Sequence, residues 1–195
     1  MFSTSRAGPA GLCFLCRRQQ PGAGRRLDRP RRGRGGVILR AGRADERQRL
    51  EALQHRALVA CPDLRPLLMA HPDMIALPRA HLAQGYVRVA ETDGQVLGFS
   101  VVLPRGAGLF ELEGLYIEPA CWRRGIGRAL VAAAAELTGT DLAGTDLAEE
   151  GKLEALARPG VEDFYVKLGF VAVGAAITAF GPARRMVLDR RGMQP

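Results

Sequence analysis

Leu115-Tyr-Ile-Glu-Pro-Ala-Cys-Trp-Arg-Arg-Gly-Ile-Gly-Arg-Ala-Leu-Val131 is the stretch on which the reading of this 195-residue chain turns. An apolar strand runs up to Pro119, which ends it. A turn then gathers Arg123, Arg124, Gly125, Gly127 and Arg128. From there Ile126, Leu130, Val131, Ala134 and Leu137 recur along one face of a helix. The first N–H groups of a helix have no partner within it, and the helix dipole adds partial positive charge there. Glycines let the backbone approach a bound group closely, and the arginines add charge and paired donors. A strand, a glycine turn and a helix start in this order make a cradle for a phosphate or diphosphate. No Gly-Lys-Ser/Thr follows, so this is not a Walker loop. A single Gly-x-Gly after antiparallel strands is not a dinucleotide fingerprint either.

Outward from the turn, the pattern predicts a meander before it and a mixed tail after it. Val37–Ala41 reads as a first strand. Asp45 stands where an N-cap would stand, and Leu50, Leu53, Ala57 and Leu58 follow at helical spacing. Pro62, Pro66, Pro72 and Pro78 break the next stretch into short helical pieces. Residues 86–91 alternate as a half-buried strand does, Thr92-Asp93-Gly94 signals a hairpin, and 96–103 is its partner. Residues 104–108 form another turn, and 109–117 form the third strand of the meander. Beyond the helix at 126–137, residues 139–143 and 144–148 repeat Gly-Thr-Asp-Leu-Ala once, a local duplication. A strand at 152–157, a short helix at 163–168 ended by Gly169, and strands near 170–178 and 184–189 close the chain. Strands and helices mix without strict alternation, so the class is α+β, or mixed α/β.

The net charge of +8 is local. Residues 1–36 hold nine arginines and one acid, Asp28, whereas residues 37–195 hold 19 bases and 19 acids. The reading is a disordered Arg/Gly/Pro-rich extension over 1–36 and one folded domain over 37–195. An arginine tail can bind phosphates non-specifically. Its only aromatics are Phe2 and Phe14, so nothing there interleaves with bases, and no nucleic-acid partner is assigned. Cys13, Cys16, Cys61 and Cys121 form no disulfide framework, and the lone Cys-x-x-Cys is half a zinc site, so neither a disulfide nor a metal is expected. No apolar run approaches the roughly 18 residues of a membrane span. A cytoplasmic protein is the expectation.

The stretch around Gly125 and Gly127 resembles the Arg/Gln-x-x-Gly-x-Gly/Ala signature of the Gcn5-related N-acetyltransferase (GNAT) family, with Trp122 standing at the Arg/Gln position. A second block, Ala157-Arg-Pro-Gly-Val-Glu-Asp-Phe-Tyr-Val-Lys-Leu-Gly-Phe170, is similar to that family's Asn-Pro-…-Phe-Tyr-x-Lys-x-Gly-Phe block, with Arg158 in place of Asn. The resemblance covers about residues 37–190. It implies the acyl-CoA N-acyltransferase fold: a central, mostly antiparallel sheet of six to seven strands, splayed between the fourth and fifth and flanked by helices. It implies acetyl-CoA as acyl donor and an amine as acceptor. The amides from Arg124 to Ala129, through Gly125, Ile126, Gly127 and Arg128 and beside Arg123, would hold the diphosphate. The amides of Leu115 and Ile117 would pair with the pantetheine arm, and that of Leu115 would polarise the thioester carbonyl. Tyr116 and Phe164 complete the expected coenzyme-binding set. Tyr165 matches a tyrosine that protonates the departing thiolate, with Phe164 left to do the packing.

An alkyl amine is mostly protonated at neutral pH, so attack on a thioester needs a base. Alternation puts residues 111, 113, 115 and 117 on one strand face, which places Glu111 and Glu113 beside the donor. The resemblance favours Glu111 as base, and Glu113 is the second candidate. His55, His71 and His81 read as surface or packing residues. The resemblance also implies that the acceptor side falls on about residues 50–85 and 172–188, which show no single dominant charge and so suit a small or amino-acid-like amine, with a protein amine as another option. Monomer and homodimer stay open, as does a non-catalytic acyl-CoA sensor that would need neither Glu111 nor Tyr165.

Overall fold

The computed structural model describes residues 36–138, 151–178 and 181–189. The arginine-rich extension up to residue 35, its Cys-x-x-Cys pair and the duplicated segment at 139–148 lie outside these. Seven strands form one sheet: β1 (Ile38–Ala41), β2 (Val87–Thr92), β3 (Gln95–Gly106), β4 (Leu109–Ile117), β5 (Lys152–Ala157), β6 (Val171–Thr178) and β7 (Gly181–Asp189). Their order across the sheet is β1-β2-β3-β4-β5-β7-β6, and every neighbouring pair is antiparallel except β4 with β5. The helices are α1 (Arg47–Val59), α2 (Arg65–Ala70), α3 (Arg79–Ala83), α4 (Ile126–Leu137) and α5 (Glu162–Val166). Among the described residues no helix is long and apolar enough to cross a membrane.

The two faces of the sheet bury separate cores. On one face α4 presents Ile126, Leu130, Val131 and Ala134 to Val102, Phe110, Leu112, Leu115 and the buried residues of β5. On the other, Leu50, Leu53, Ala57 and Leu58 of α1 pack with α2 and α3 onto Val87, Val89, Phe99, Val101 and Leu103. Each wholly buried leucine contributes about 1.5–3 kcal/mol, so the helical periodicity of α1 and α4 suffices to fix which face each covers.

Three local expectations change. Asp45 is not the cap of α1. A 3-10 turn, Ala44–Glu46, precedes the helix, so Glu46 is the residue at the cap of α1, and Arg43 caps the 3-10 turn with its N–H donating to Glu46 Oε2 at 3.0 Å. Arg40 reaches the same carboxylate with two bonds, 2.7 and 2.6 Å, and also grips Glu91 on β2. That clamp outcompetes an exposed Asp45, because the Glu46 carboxylate is buried and must be paired. Second, β3 runs beyond Leu103 to Gly106, with Arg105 as the extra residue of a bulge opposite Phe110 and Leu109. A bulge is where a strand proline such as Pro104 is tolerated.

The third change matters most for function. The pairing shifts between Val101–Gly114 and Val102–Leu112, so Glu113 is an extra residue in β4. A bulge breaks the alternation. Phe110 and Leu112 lie in the α4 core before it, and Leu115 and Ile117 lie in that core after it, while Tyr116 joins the α1 core. Glu111 and Glu113 therefore lie on the α1–α3 face, opposite to Leu115 and Ile117 rather than beside them.

Candidate functional site

β4 and β5 pair only at Leu109–Lys152, Phe110–Leu153 and Glu111–Glu154. Beyond these the strands part, and among the described residues no strand pairs with the edge of β4 from Leu112 to Ile117 on that side. The N–H of Glu118 donates to the Leu97 carbonyl of β3 at 2.8 Å. Antiparallel pairing alternates inward and outward groups, so the amides of Tyr116 and Gly114 also face β3, and those of Leu115 and Ile117 face the opening. Tyr116 thus offers the opening neither its amide nor its ring, whose hydroxyl meets Gln54 Nε2 at 3.1 Å on the α1 side. Trp122 closes the far end of this edge, with its indole N–H donating to the Ile117 carbonyl at 2.9 Å.

The chain leaves β4 through a 3-10 turn at Pro119–Cys121 and enters α4 through two left-handed residues, Arg123 (φ 62°) and Gly125 (φ 82°). Gly125 is the residue before the helix, and a Cβ on it would meet nothing within 4 Å. Space is therefore open above the helix start, where Ile126, Gly127 and Arg128 present amides that no preceding turn can accept. The Ala129 N–H donates to the Gly125 carbonyl at 3.0 Å, so the donor run ends at Arg128, one residue short of the expectation. Arg123, Arg124 and Arg128 are exposed around the turn. A Cβ on Gly127 would meet the Phe164 ring at 3.4 Å, an ordinary van der Waals contact, so the ring lies against this first turn of α4.

The two acids differ sharply. Glu111 is ion-paired to Arg105, Oε2 to Nε at 2.5 Å. Glu113 has no such cation. Burial, followed by the neighbouring Glu111 charge, pushes its carboxyl up to about 7 in spite of Arg105. His81 on α3 faces it, Nδ1 at 3.7 Å from Oε2. Burial first, and then the Arg105 charge, hold the His81 imidazole below its usual value. Sequence reasoning treated His81 as packing and Arg105 as a turn residue. Neither carried a signal, because only the bulges in β3 and β4 bring them together.

Both aromatics of α5 pack, Tyr165 more deeply than Phe164. Tyr165 is wholly buried in the α4 core, edge-on to Phe164 and Phe170 at ring distances of 5.2 Å each. The N–H groups of Gly169 and Phe170 donate to the carbonyls of Val166 and Tyr165 at 3.0 and 3.1 Å, with Gly169 at φ 90°. This is a Schellman ending, and its usual apolar contact is the Tyr165–Phe170 pair. Phe164, half-buried, lies against Gly127 and the α4 core.

On the helical side a cavity of about 380 Å³ lies between α1 and α2, lined mainly by Val59, Leu68, Met69 and Ile75 with His55 and Arg65 at its edge. It falls within residues 50–85, the span expected to face the acceptor.

Residues 83–172 match the family model described as the acetyltransferase (GNAT) domain. No curated protein sequence matches the chain significantly. Among solved structures, the PaiA N-acetyltransferase of Thermoplasma acidophilum in complex with coenzyme A is similar at 15% identity and a TM-score of 0.63, over 79% of this chain and 99% of that one. An aminoglycoside acetyltransferase in complex with coenzyme A is similar at 24% identity and a TM-score of 0.56, over 80% and 96%. The yncA structure from Salmonella typhimurium with its cofactor acetyl-CoA is similar at 16% identity and a TM-score of 0.54, over 79% and 94%. At these identities the likeness is one of fold.

Proposed function

From the match of residues 83–172 to the GNAT acetyltransferase domain, we propose that the chain carries a domain of that family and transfers an acetyl group from acetyl-CoA to a primary amine by direct attack, both substrates being bound together. The observation that carries the reading is the parting of β4 from β5 beside a helix start whose amides face open space. One coenzyme fits both: an amide-bearing arm along Leu115 and Ile117, and a diphosphate at Ile126–Arg128 with Arg123, Arg124 and Arg128 around it. When bound, the coenzyme supplies an activated thioester carbonyl, and every other part of the chemistry falls to backbone amides and side chains of this chain.

The Leu115 amide would donate to the carbonyl oxygen as it gains charge. Glu113, with its carboxyl near 7, is the proposed base in place of Glu111, whose carboxylate is held by Arg105. It sits on the α1–α3 face, so the acceptor would approach from there while the coenzyme lies along the edge of β4. Tyr165 is the proposed proton donor to the departing thiolate. Orientation of amine and thioester can supply about 7–11 kcal/mol, with acid and base adding about 10²–10⁴-fold each. A small or amino-acid-like amine is the proposed acceptor class, and a cytoplasmic setting is the proposed location.

The test is an acetyl-CoA titration followed by free-thiol release across a panel of amines, on the full chain and on Glu113→Gln. The expected result is tight acetyl-CoA binding and amine-dependent thiol release that falls at least about 10²-fold in the variant. Binding accompanied only by slow hydrolysis, whatever the amine, would instead make the protein an acyl-CoA sensor.

A further inference from the structure

Resting on the reading of Glu113 as base, we infer that His81 acts through Glu113 as its proton-relay partner, receiving at Nδ1 the proton that Glu113 takes from the amine and passing it to solvent. The need for a relay comes from the balance of the reaction. A primary ammonium becomes an amide nitrogen carrying one hydrogen, so it loses two protons. One leaves before nitrogen attacks the carbonyl carbon, and the other leaves after the N–C bond has formed. The C–S bond then breaks with its electron pair on sulfur. One proton ends on that sulfur, and the other must reach water. A lone carboxylate that still holds the first proton cannot accept the second.

The geometry points to His81 as the place where the first one goes. His81 Nδ1 is buried without a hydrogen-bond partner among the described residues. A buried polar atom left in that condition costs free energy and calls for an explanation. Its nearest ionisable neighbour is Glu113 Oε2 at 3.7 Å, and a closure of less than 1 Å brings the two into hydrogen-bond range. The backbone on both sides of the ring is pinned: the His81 N–H donates to the Pro78 carbonyl at 3.0 Å, and the His81 carbonyl accepts from the Tyr86 N–H at 2.9 Å. The ring lies tilted beside that of Tyr86 at 6.3 Å. With Nδ1 as the acceptor the imidazole carries its hydrogen on Nε2, and 18% of the side-chain surface remains open to water. The groups facing the pair are Glu111 on β4 and Arg105 on β3, already bonded to each other, and the Tyr86 ring ahead of β2. The Arg105 charge disfavours a resident proton on His81. The site therefore passes a proton on rather than storing it.

The experiment has two arms. In the first, the full chain is labelled with ¹⁵N-histidine and titrated without substrate; His81→Phe identifies the signal among the three histidines. The Nδ1 resonance of His81 should move in a step centred near Glu113's value of about 7, more than Nε2 does, and the step should vanish in Glu113→Gln. A His81 resonance that is flat across that range, or is unchanged by Glu113→Gln, overturns the pairing. In the second arm, kcat/KM is followed against pH with acetyl-CoA and the best amine of the panel. His81→Phe should lose about 10²-fold, and His81→Asn, which can accept a hydrogen bond but not carry a proton, should lose as much. Full activity in His81→Asn would reduce the histidine to a prop for Glu113 and overturn the relay. Should no amine be acetylated, the base reading itself fails, while the titration still decides whether the two groups share a proton.

Discussion

Gly125→Ala separates the fold of the turn from the binding ascribed to it. The residue sits at φ 82° with nothing within 4 Å of the place a Cβ would occupy. The methyl group therefore meets no clash in the free protein, and the cost is the left-handed backbone alone, about 1–2 kcal/mol. For a chain of this length each kcal/mol lowers Tm by about 2–4 °C, so a fall of about 2–8 °C with an otherwise intact transition is expected. The ligand is affected quite differently. The methyl group occupies the space from which a diphosphate would reach the amides of Ile126, Gly127 and Arg128. Two lost bonds to a charged group amount to about 3–6 kcal/mol, which at 1.4 kcal/mol per decade is a loss of about 10²–10⁴ in Kd. Calorimetric titration of coenzyme A into both proteins measures this directly. Pantetheine, which lacks the diphosphate, serves as the internal control and should bind the variant as it binds the parent. Coenzyme A binding unchanged within twofold, or pantetheine weakened just as much, would show that the helix start does not hold the diphosphate.

Three further outcomes are expected. Arg105→Met removes the cation that opposes protonation of Glu113, so the acid limb of kcat/KM against pH should move to higher pH; a limb that stays put or moves down removes Glu113 from the profile. Tyr165→Phe should cut turnover by about 10²-fold while leaving coenzyme A affinity as it was; undiminished turnover takes the phenol out of the mechanism. Glu46 is held at about 2 by the Arg40 clamp. Because its folded value is depressed, its contribution is fully present above the usual carboxylate range and drains away as pH falls towards 2. Glu46→Gln should cost about 2 kcal/mol at pH 7 and much less near pH 2, read by urea denaturation at both.

The elements were readable because each is specified by its own neighbours. Four leucines and alanines at helical spacing specify α1, and the alternation of 86–91 specifies β2. Pro119 ends β4, and Gly169 ends the turn after α5. The Gly125–Arg128 turn was readable for the same reason, since a glycine turn feeding a helix is a local device. The acids resisted because their placement depends on one added residue. Glu113 is bulged, and nothing in Phe110-Glu-Leu-Glu-Gly114 reveals that the phase slips by one. Gly114 is the nearest hint: a Cβ there would lie 2.6 Å from the Tyr116 ring. Once the phase slips, Glu111 and Glu113 change faces and come against Arg105 and His81, residues some six to thirty positions away. How deeply Phe164 and Tyr165 each pack was not legible, because two adjacent aromatics on a five-residue helix both read as buried. Only the Schellman ending decides that Tyr165 is the one locked against Phe170.

A sheet that parts in its interior has a seam, and the seam has mechanical and metabolic meaning. Strands β1–β4 and β5–β7 pair through three residue pairs at one end of β4, and beyond that short join the core shared with α4 is what holds the two halves. A coenzyme threaded along Leu115 and Ile117 would baste them together. By mass action it would add RT ln(1 + [L]/Kd) to the stability of the fold, about 2.7 kcal/mol at a hundredfold excess over Kd. The protein's resistance to proteases would then rise and fall with the acyl-CoA pool, so that starvation of donor would thin out the catalyst as well as idle it.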